Sequence, residues 1–254
     1  MKKHKSIHPI ILAFVAFCII ASAPLFAQTG REIVEKSEDA VRANSITGTY
    51  EITVKTRRWT RTMSMKYQEV RGARKSFAEI LSPRKDAGNR FLMIKTDMWH
   101  YVPKIQQTIK IAPSMMLNSW MGSDFSNDDI VKESSILHDY THKLLGTHDI
   151  GGVKVYSVEL TPKTDAAVVW GKILYYARTA DFLPLKQEFY SEHGVLRKVL
   201  TCDGFRVMGG RTIPTVYKMA PAGKDRYTIM EIKSIRFNES IPDRVFSQQN
   251  LTRR

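Results

Sequence analysis

Cysteine is nearly absent from this 254-residue chain: Cys18 and Cys202 are the only two, and Cys18 falls in an N-terminal apolar stretch that reads as removable. One remaining thiol excludes an internal disulfide, so stability has to come from a buried core. Long apolar runs are missing too. The run from Ile10 to Ala23 falls short of the roughly twenty residues that a membrane-crossing helix requires. Acidic residues are scarce, 25 against 39 Lys and Arg, for a formal charge of +14. No Pro/Ser-rich linker, low-complexity tract or repeat divides the sequence, which favours one domain over two. Nucleic acid is a poor partner for an exported chain, no recognition motif accompanies the charge, and none is expected to bind. The cations instead solvate outward strand faces and protect sheet edges, or meet anionic lipid and acidic partners.

What is present begins with a secretory signal peptide over Met1 to Ala27. Lys2, Lys3 and Lys5 form its positive n-region, Pro9 to Ala23 its apolar run, and Leu25-Phe26-Ala27 offers a small residue at the cut. A retained anchor is the lesser reading, and bulky Phe17 disfavours lipid attachment at Cys18. Cleavage after Ala27 lowers the formal charge to +11 and leaves residues 28–254 as one domain, expected in the periplasm.

Thr29-Gly30-Arg31-Glu32 is a capping box, from which a helix is expected. Ile33, Val34, Ser37, Ala40 and Val41 fall on its buried stripe, while Arg31, Glu35, Lys36, Glu38 and Arg42 are expected to point away, until Asn44 and Ser45 stop it. From Ile46 the period changes to two. Tyr50, Ile52 and Val54 share one face, and after a turn at Arg57-Arg58 the inward set becomes Trp59, Met63, Met65 and Tyr67. A meander of short strands follows to Ala112. Pro113 then opens an expected helix whose Met116, Leu117, Trp120 and Met121 make an i, i+1, i+4, i+5 stripe ended by Gly122. Ser126 and Asp129 give a second, capping-box-like start for a short helix through Val131. Strands resume after Leu137: Val153 to Leu160, Val169 to Arg178, Leu183 to Tyr190, Val195 to Thr201, Thr212 to Met219 and Tyr227 to Phe237. Gly151-Gly152 and Gly209-Gly210 are two-residue hairpin signals. Asp243 to Leu251 is a terminal turn whose Phe246 plugs the sheet. The class is mainly β: a strongly curved antiparallel sheet with helices on its concave side.

The most specific stretch runs from Asp97 to Ile130. It contains Asp97-x-Trp99-x-Tyr101-x-Pro103 and, about twenty residues on, Met121-Gly122-Ser123-Asp124-Phe125-Ser126-x-x-Asp129. With Lys143-Leu144-Leu145-Gly146, Leu183-Pro184-Leu185-Lys186 and the closing Val245-Phe246, this pattern resembles the outer-membrane lipoprotein-sorting (LolA-like) family. That resemblance implies a half-open β-barrel whose apolar concave face, covered by helices, holds acyl chains. It also implies an arginine within the concave sheet that hydrogen-bonds the cover, for which Arg74 and Arg90 are the candidates.

Adaptable Met and aromatic side chains suit a variable apolar ligand better than a plain core. The expected cavity wall is therefore Tyr50, Ile52, Trp59, Met63, Met65, Met93, Trp99, Tyr101, Met116, Leu117, Trp120 and Met121. Ser123-Asp124 lacks the glycines of a nucleophile elbow and reads as a turn whose short side chains accept backbone hydrogen bonds. His138 and His142 have the spacing of a helical metal pair, yet their segment reads as strand, where residues four apart lie about 13 Å from each other. No catalytic residue, metal or cofactor is expected. The expected ligand is the acyl chains of a lipoprotein or another lipid, and the expected partners are an inner-membrane transporter or an outer-membrane acceptor, with the carrier a monomer. A regulatory module of the same fold that senses lipid is the main rival, and a lipid-modifying hydrolase the lesser one. Edman sequencing of the chain from an exporting host should begin at Gln28; a start before Leu25, or a chain retained in the membrane, contradicts the signal-peptide reading.

Overall fold

A computed structural model of the protein describes residues 28–127, 129, 135–164, 166 and 168–253. The expected signal peptide lies outside the described residues. Helix α1 (Gly30–Val41) starts as its capping box dictates: Thr29 Oγ1 accepts from the Glu32 N–H at 3.2 Å, and the Thr29 N–H donates to Glu32 Oε2 at 3.0 Å.

Fifteen strands follow among the described residues: β1 (Ser45–Lys55), β2 (Thr60–Val70), β3 (Lys75–Ser82), β4 (Arg90–Ile94), β5 (Asp97–Val102), β6 (Gln107–Lys110), β7 (Tyr140–Ile150), β8 (Val153–Pro162), β9 (Lys172–Arg178), β10 (Pro184–Tyr190), β11 (Leu196–Asp203), β12 (Arg206–Met208), β13 (Arg211–Ile213), β14 (Val216–Pro221) and β15 (Tyr227–Phe237). Thirteen form one open antiparallel sheet in the order β6-β5-β4-β3-β2-β1-β15-β14-β11-β10-β9-β8-β7, and β12 and β13 make a separate hairpin. β1 is the seam, paired along its length with β2 and with β15. Gly151 and Gly152, with φ of 60° and 82°, make the tight β7–β8 turn, a conformation that side chains with a Cβ rarely adopt. The expected strand over Thr212–Met219 is broken, because Pro214 has no N–H to give a ladder and splits it into β13 and β14.

β6 and β7 are consecutive in the chain yet form opposite edges of the sheet. The described part of the intervening segment, residues 111–127, 129 and 135–139, lies on the concave side as a strap. The sequence pattern predicts an apolar helix there, and this expectation is corrected: only two short 3-10 turns form, Pro113–Met115 and Trp120–Gly122. Met121 and Gly122 both take positive φ (51° and 73°), Ser119 bridges Ser126, and the Trp120 N–H donates to the Phe125 carbonyl at 2.8 Å. The Ser119 hydroxyl also donates to the Ser123 carbonyl, so local side-chain bonds outcompete the helix ladder. The Ser126 and Asp129 cap is present, each N–H donating to the other's side chain; the remainder of that expected helix lies outside the described residues.

Alternation sorts the apolar residues into three clusters. Ile46, Tyr50, Ile52, Met63, Met65, Ile80, Phe91 and Ile232 pack on one half of the concave face. Ile33 and Val34 of α1 pack on Val158, Leu160, Ile173 and Tyr175 in the other half. On the outer face, Phe246 and Leu251, from the 3-10 turn Asp243–Phe246 and helix α2 (Gln248–Thr252), cover Phe77, Leu92 and Tyr101. No described helix is long and apolar enough to cross a membrane.

Candidate functional site

Between α1, the strap and the concave sheet lies a cavity of about 240 Å³, far beyond the roughly 10–15 Å³ that holds one water. Its walls are mostly apolar: Ile46, Tyr50, Ile52, Met65, Ala78 and Phe91 from β1 to β4, Met219, Met230 and Ile232 from β14 and β15, and Ile173, Tyr175 and Phe189 from β9 and β10. The strap contributes Trp120 and Phe125.

Of the wall expected from the sequence, Tyr50, Ile52, Met65 and Trp120 line this space. The other positions lie elsewhere. Met63 is fully buried in the concave-face core, and Met93, Met116 and Met121 pack against the same core without reaching the cavity wall. Trp99 and Tyr101 belong to the outer-face cluster, because alternation in β5 sends Met98 and His100 inward instead. Trp59 is 46% exposed at the β1–β2 turn and Leu117 is 59% exposed on the strap, since the helix that was to turn Leu117 inward does not form.

Sequence reasoning missed the far half of the wall. Ile173 and Tyr175, and Met230 and Ile232, stand two apart on β9 and β15, so period-two alternation marks them. The concentration of Met and Trp near residues 97–130 drew the expectation away from them.

Polar groups lie at two ends of the cavity. At one end Glu38 of α1 and Arg42 at its C-cap, expected to face solvent, are buried and pair at 3.2 Å, with Glu69 of β2 at 3.9 Å from the guanidinium. The i, i+4 spacing places the two side chains together, and mutual neutralisation is what permits their burial. Beside them Tyr175 OH bonds Ser37 Oγ at 2.8 Å; burial first, then the Glu38 carboxylate, raises this phenol well above its ordinary range, so it stays protonated. At the other end Lys198 of β11 pairs with Asp129 of the strap and lies over the rings of Trp170 and Phe189 at 4.7 and 5.2 Å.

Three anchors hold the strap over the cavity. The Asp124 N–H donates to Thr228 Oγ1 at 2.9 Å, and the Thr228 hydroxyl donates to Asp124 Oδ2 at 2.8 Å. Arg226 Nε stands 2.7 Å from Asp124 Oδ1, as an ion pair out of line for a hydrogen bond. The Arg61 guanidinium donates to the Met121 carbonyl, and Lys198 holds Asp129. Arg61 is thus the sheet arginine that reaches the cover. Arg74 instead occupies the β2–β3 turn, and Arg90 bonds Glu79 and the carbonyls of Leu251 and Arg253 under α2. A column of rings backs Trp120: Phe91 lies 5.2 Å from it and stacks at 4.2 Å on His100, whose imidazole burial pulls down to about 4. Trp120 Nε1 is buried without a hydrogen-bond partner among the described residues, a desolvation cost of about 1–3 kcal/mol against the seated strap.

Among the described residues, the hydroxyl and imidazole side chains of the site are engaged elsewhere. Ser123 Oγ donates to the Trp120 carbonyl at 2.6 Å and accepts from the Phe125 N–H, and no imidazole contacts it among the described residues. Burial, with Glu38 adding to it, pushes the Cys202 thiol of the cavity wall far up, away from the reactive thiolate. His142 sits on strand β7, where its ring Nε2 bonds the Ile136 carbonyl at 2.9 Å.

A family model described as "Uncharacterized protein" matches residues 72–253. Among solved structures the chain is similar to a DUF1329 family protein from Desulfovibrio piger (19% identity, 87% of this chain and 97% of that one, TM-score 0.80). It is also similar to an outer membrane lipoprotein-sorting protein domain from Vibrio parahaemolyticus (24% identity, 88% and 98%, TM-score 0.78). A LolA superfamily protein from Nitrosomonas europaea matches at 24% identity over 88% of this chain and 100% of that one, with a TM-score of 0.74. At such identities the likeness establishes the fold, which is the one the sequence resemblance implied. No curated protein matches the chain in sequence.

Thr228→Val removes both bonds to Asp124 while keeping the side-chain volume. Hydrogen exchange should accelerate over residues 119–127 with α1 unchanged, and global stability should fall by about 1–3 kcal/mol. Uniform acceleration across the sheet, or none in the strap, would show that Asp124 is not its anchor.

Proposed function

The chain belongs to the protein family whose model matches its residues 72–253, and from the LolA-superfamily fold and the cavity we propose a periplasmic, non-enzymatic carrier. It takes up acyl chains of a lipoprotein or another lipid and hands them between membranes, or to an inner-membrane transporter or outer-membrane acceptor. The single observation that carries this reading is the apolar cavity of about 240 Å³ beneath the strap. Burial drives uptake: each methylene transferred into such a wall contributes about 0.8 kcal/mol. A long chain therefore gathers binding free energy on the order of 10 kcal/mol before ordering costs. The buried Glu38–Arg42–Glu69 group at one end or the Asp129–Lys198 pair at the other can meet the polar end of a ligand that is apolar along its length. Release needs a cover that yields, and a strap of short 3-10 turns anchored at a few polar points yields more readily than a packed helix.

Titration with saturated fatty acids and with a diacylated lipopeptide should change the emission of Trp120 and Trp170 saturably. Affinity should weaken about fourfold per methylene removed. Ala78, on the cavity wall, offers a way to fill the space without deleting core contacts. Ala78→Trp should stay folded and lose binding. If no acyl chain of any length binds the parent chain, or Ala78→Trp binds as well as the parent, the carrier reading fails.

A further inference from the structure

We propose that the rim of strand turns at one end of the half-barrel docks on an anionic phospholipid bilayer. This goes beyond the cargo reading and does not depend on the cavity being occupied. In the antiparallel sheet the β1–β2, β3–β4, β5–β6, β10–β11 and β14–β15 turns all fall at the same end. Contacts tie them into one surface: Arg57 Nε lies 2.9 Å from Asp225 Oδ2, a Cβ on Gly88 would touch Pro103 at 3.4 Å, and the Ala222 N–H donates to the Arg197 carbonyl at 2.9 Å.

Three of these turns each push one apolar side chain into solvent beside a cation. Trp59 follows Arg58, Ile105 follows Lys104, and Val195 precedes Arg197 by two, with Ile105 and Val195 each 54% exposed. The cations of this rim fall into two groups, and Arg57 and Arg226 are the paired ones, with Asp225 and Asp124. Arg58, Arg84, Lys85, Lys104 and Lys224 have no ion-pair partner among the described residues, and all five are exposed.

The opposite end also carries exposed cations without an ion-pair partner among the described residues, Arg74, Lys95, Lys154 and Arg206, beside paired ones. There Arg71 pairs with Asp39 at 2.8 Å, Lys75 with Asp243 at 3.0 Å, Lys110 with Asp97 at 3.0 Å, Arg178 with Asp181 at 3.1 Å and Arg236 with Glu239 at 2.7 Å. Both ends thus carry paired and unpaired cations, and the rim is set apart by the apolar tips, Trp59 among them, that stand on its turns beside the unpaired ones. Unpaired cations are drawn to the negative surface potential of anionic lipid, and an exposed tryptophan with aliphatic neighbours favours the head-group layer. The apolar tips are spread over separate turns and are not gathered in a groove, which fits a planar bilayer better than a protein ligand.

The test is co-sedimentation of the full chain, as processed by an exporting host, with vesicles of phosphatidylcholine and phosphatidylglycerol at 3:1 and with pure phosphatidylcholine. Binding is expected to the anionic vesicles only, and to be lost in 0.5 M salt, where the screening length shrinks to about 4 Å. The triple variant Arg58→Glu, Lys85→Glu, Lys104→Glu should lower the vesicle-bound fraction at least tenfold. An equal charge change at the other end, Lys95→Glu, Lys154→Glu, Arg206→Glu, should leave it within twofold; both variants are checked for the parent circular-dichroism spectrum. Trp59→Ser should weaken binding at low salt although it changes no charge. No pelleting with anionic vesicles overturns the proposal, as does equal loss in both triple variants, which would reduce the effect to net charge. Acyl-chain titration of the rim variant should match the parent, so a failure here is distinguishable from a failure of the carrier reading.

Discussion

The connection between β6 and β7 has to cross from one edge of a thirteen-stranded sheet to the other, and the concave side is organised around that crossing. A sheet that stayed flat would leave its apolar inner face to water. Curved, it brings β15, β2 and β11 within reach of a single strap, so that Thr228, Arg61 and Lys198 each take hold of it at a polar point. Helix α1 closes the remaining side through Ile33 and Val34. Between these two covers the sheet's inner residues are left short of partners, and the shortfall is the cavity.

The two covers are fastened by different physics. α1 is held by burial of an apolar stripe, which is non-directional and has no cheap intermediate state. The strap also buries Trp120 and Phe125, but its position is set by a few hydrogen bonds and ion pairs, each of modest net worth but costly to break one-sidedly because the partner is buried. Asp124 illustrates this, with a side chain 1% exposed between Thr228 and Arg226. Such fastening suits a cover that lifts as a unit and reseats in one register. The same reasoning explains the buried charges: Glu38, Arg42 and Glu69 offset one another, so the cavity can have a polar end without an isolated ion.

Legibility in the sequence followed the range of the interactions involved. Local chemistry read well: the Thr29 capping box, the Gly151-Gly152 turn and β15, whose ends fall where alternation put them. The fold class read well too, because period-two alternation with glycine turns leaves few other architectures. The strap did not, since Met116, Leu117, Trp120 and Met121 have helical spacing but Ser119, Ser123 and the positive φ at Met121 hold the chain in a tight loop. Trp99 and Tyr101 show a second limit. Alternation says that they share a face, and only the sheet's curvature and the position of Phe246 decide that this face is the outer one. Glu38 and Arg42 show a third, because their charge argued for solvent while their pairing permitted burial.

The central claim, that the concave side is a lipid compartment and not merely an incomplete core, is tested most directly by what the protein carries. Native mass spectrometry of the chain released gently from an exporting host should show a mass excess that dissociates on collision as one acyl lipid, and Ala78→Trp should lack it. A chain that emerges at its bare mass, and remains so after incubation with the host's own lipid extract, would contradict the account.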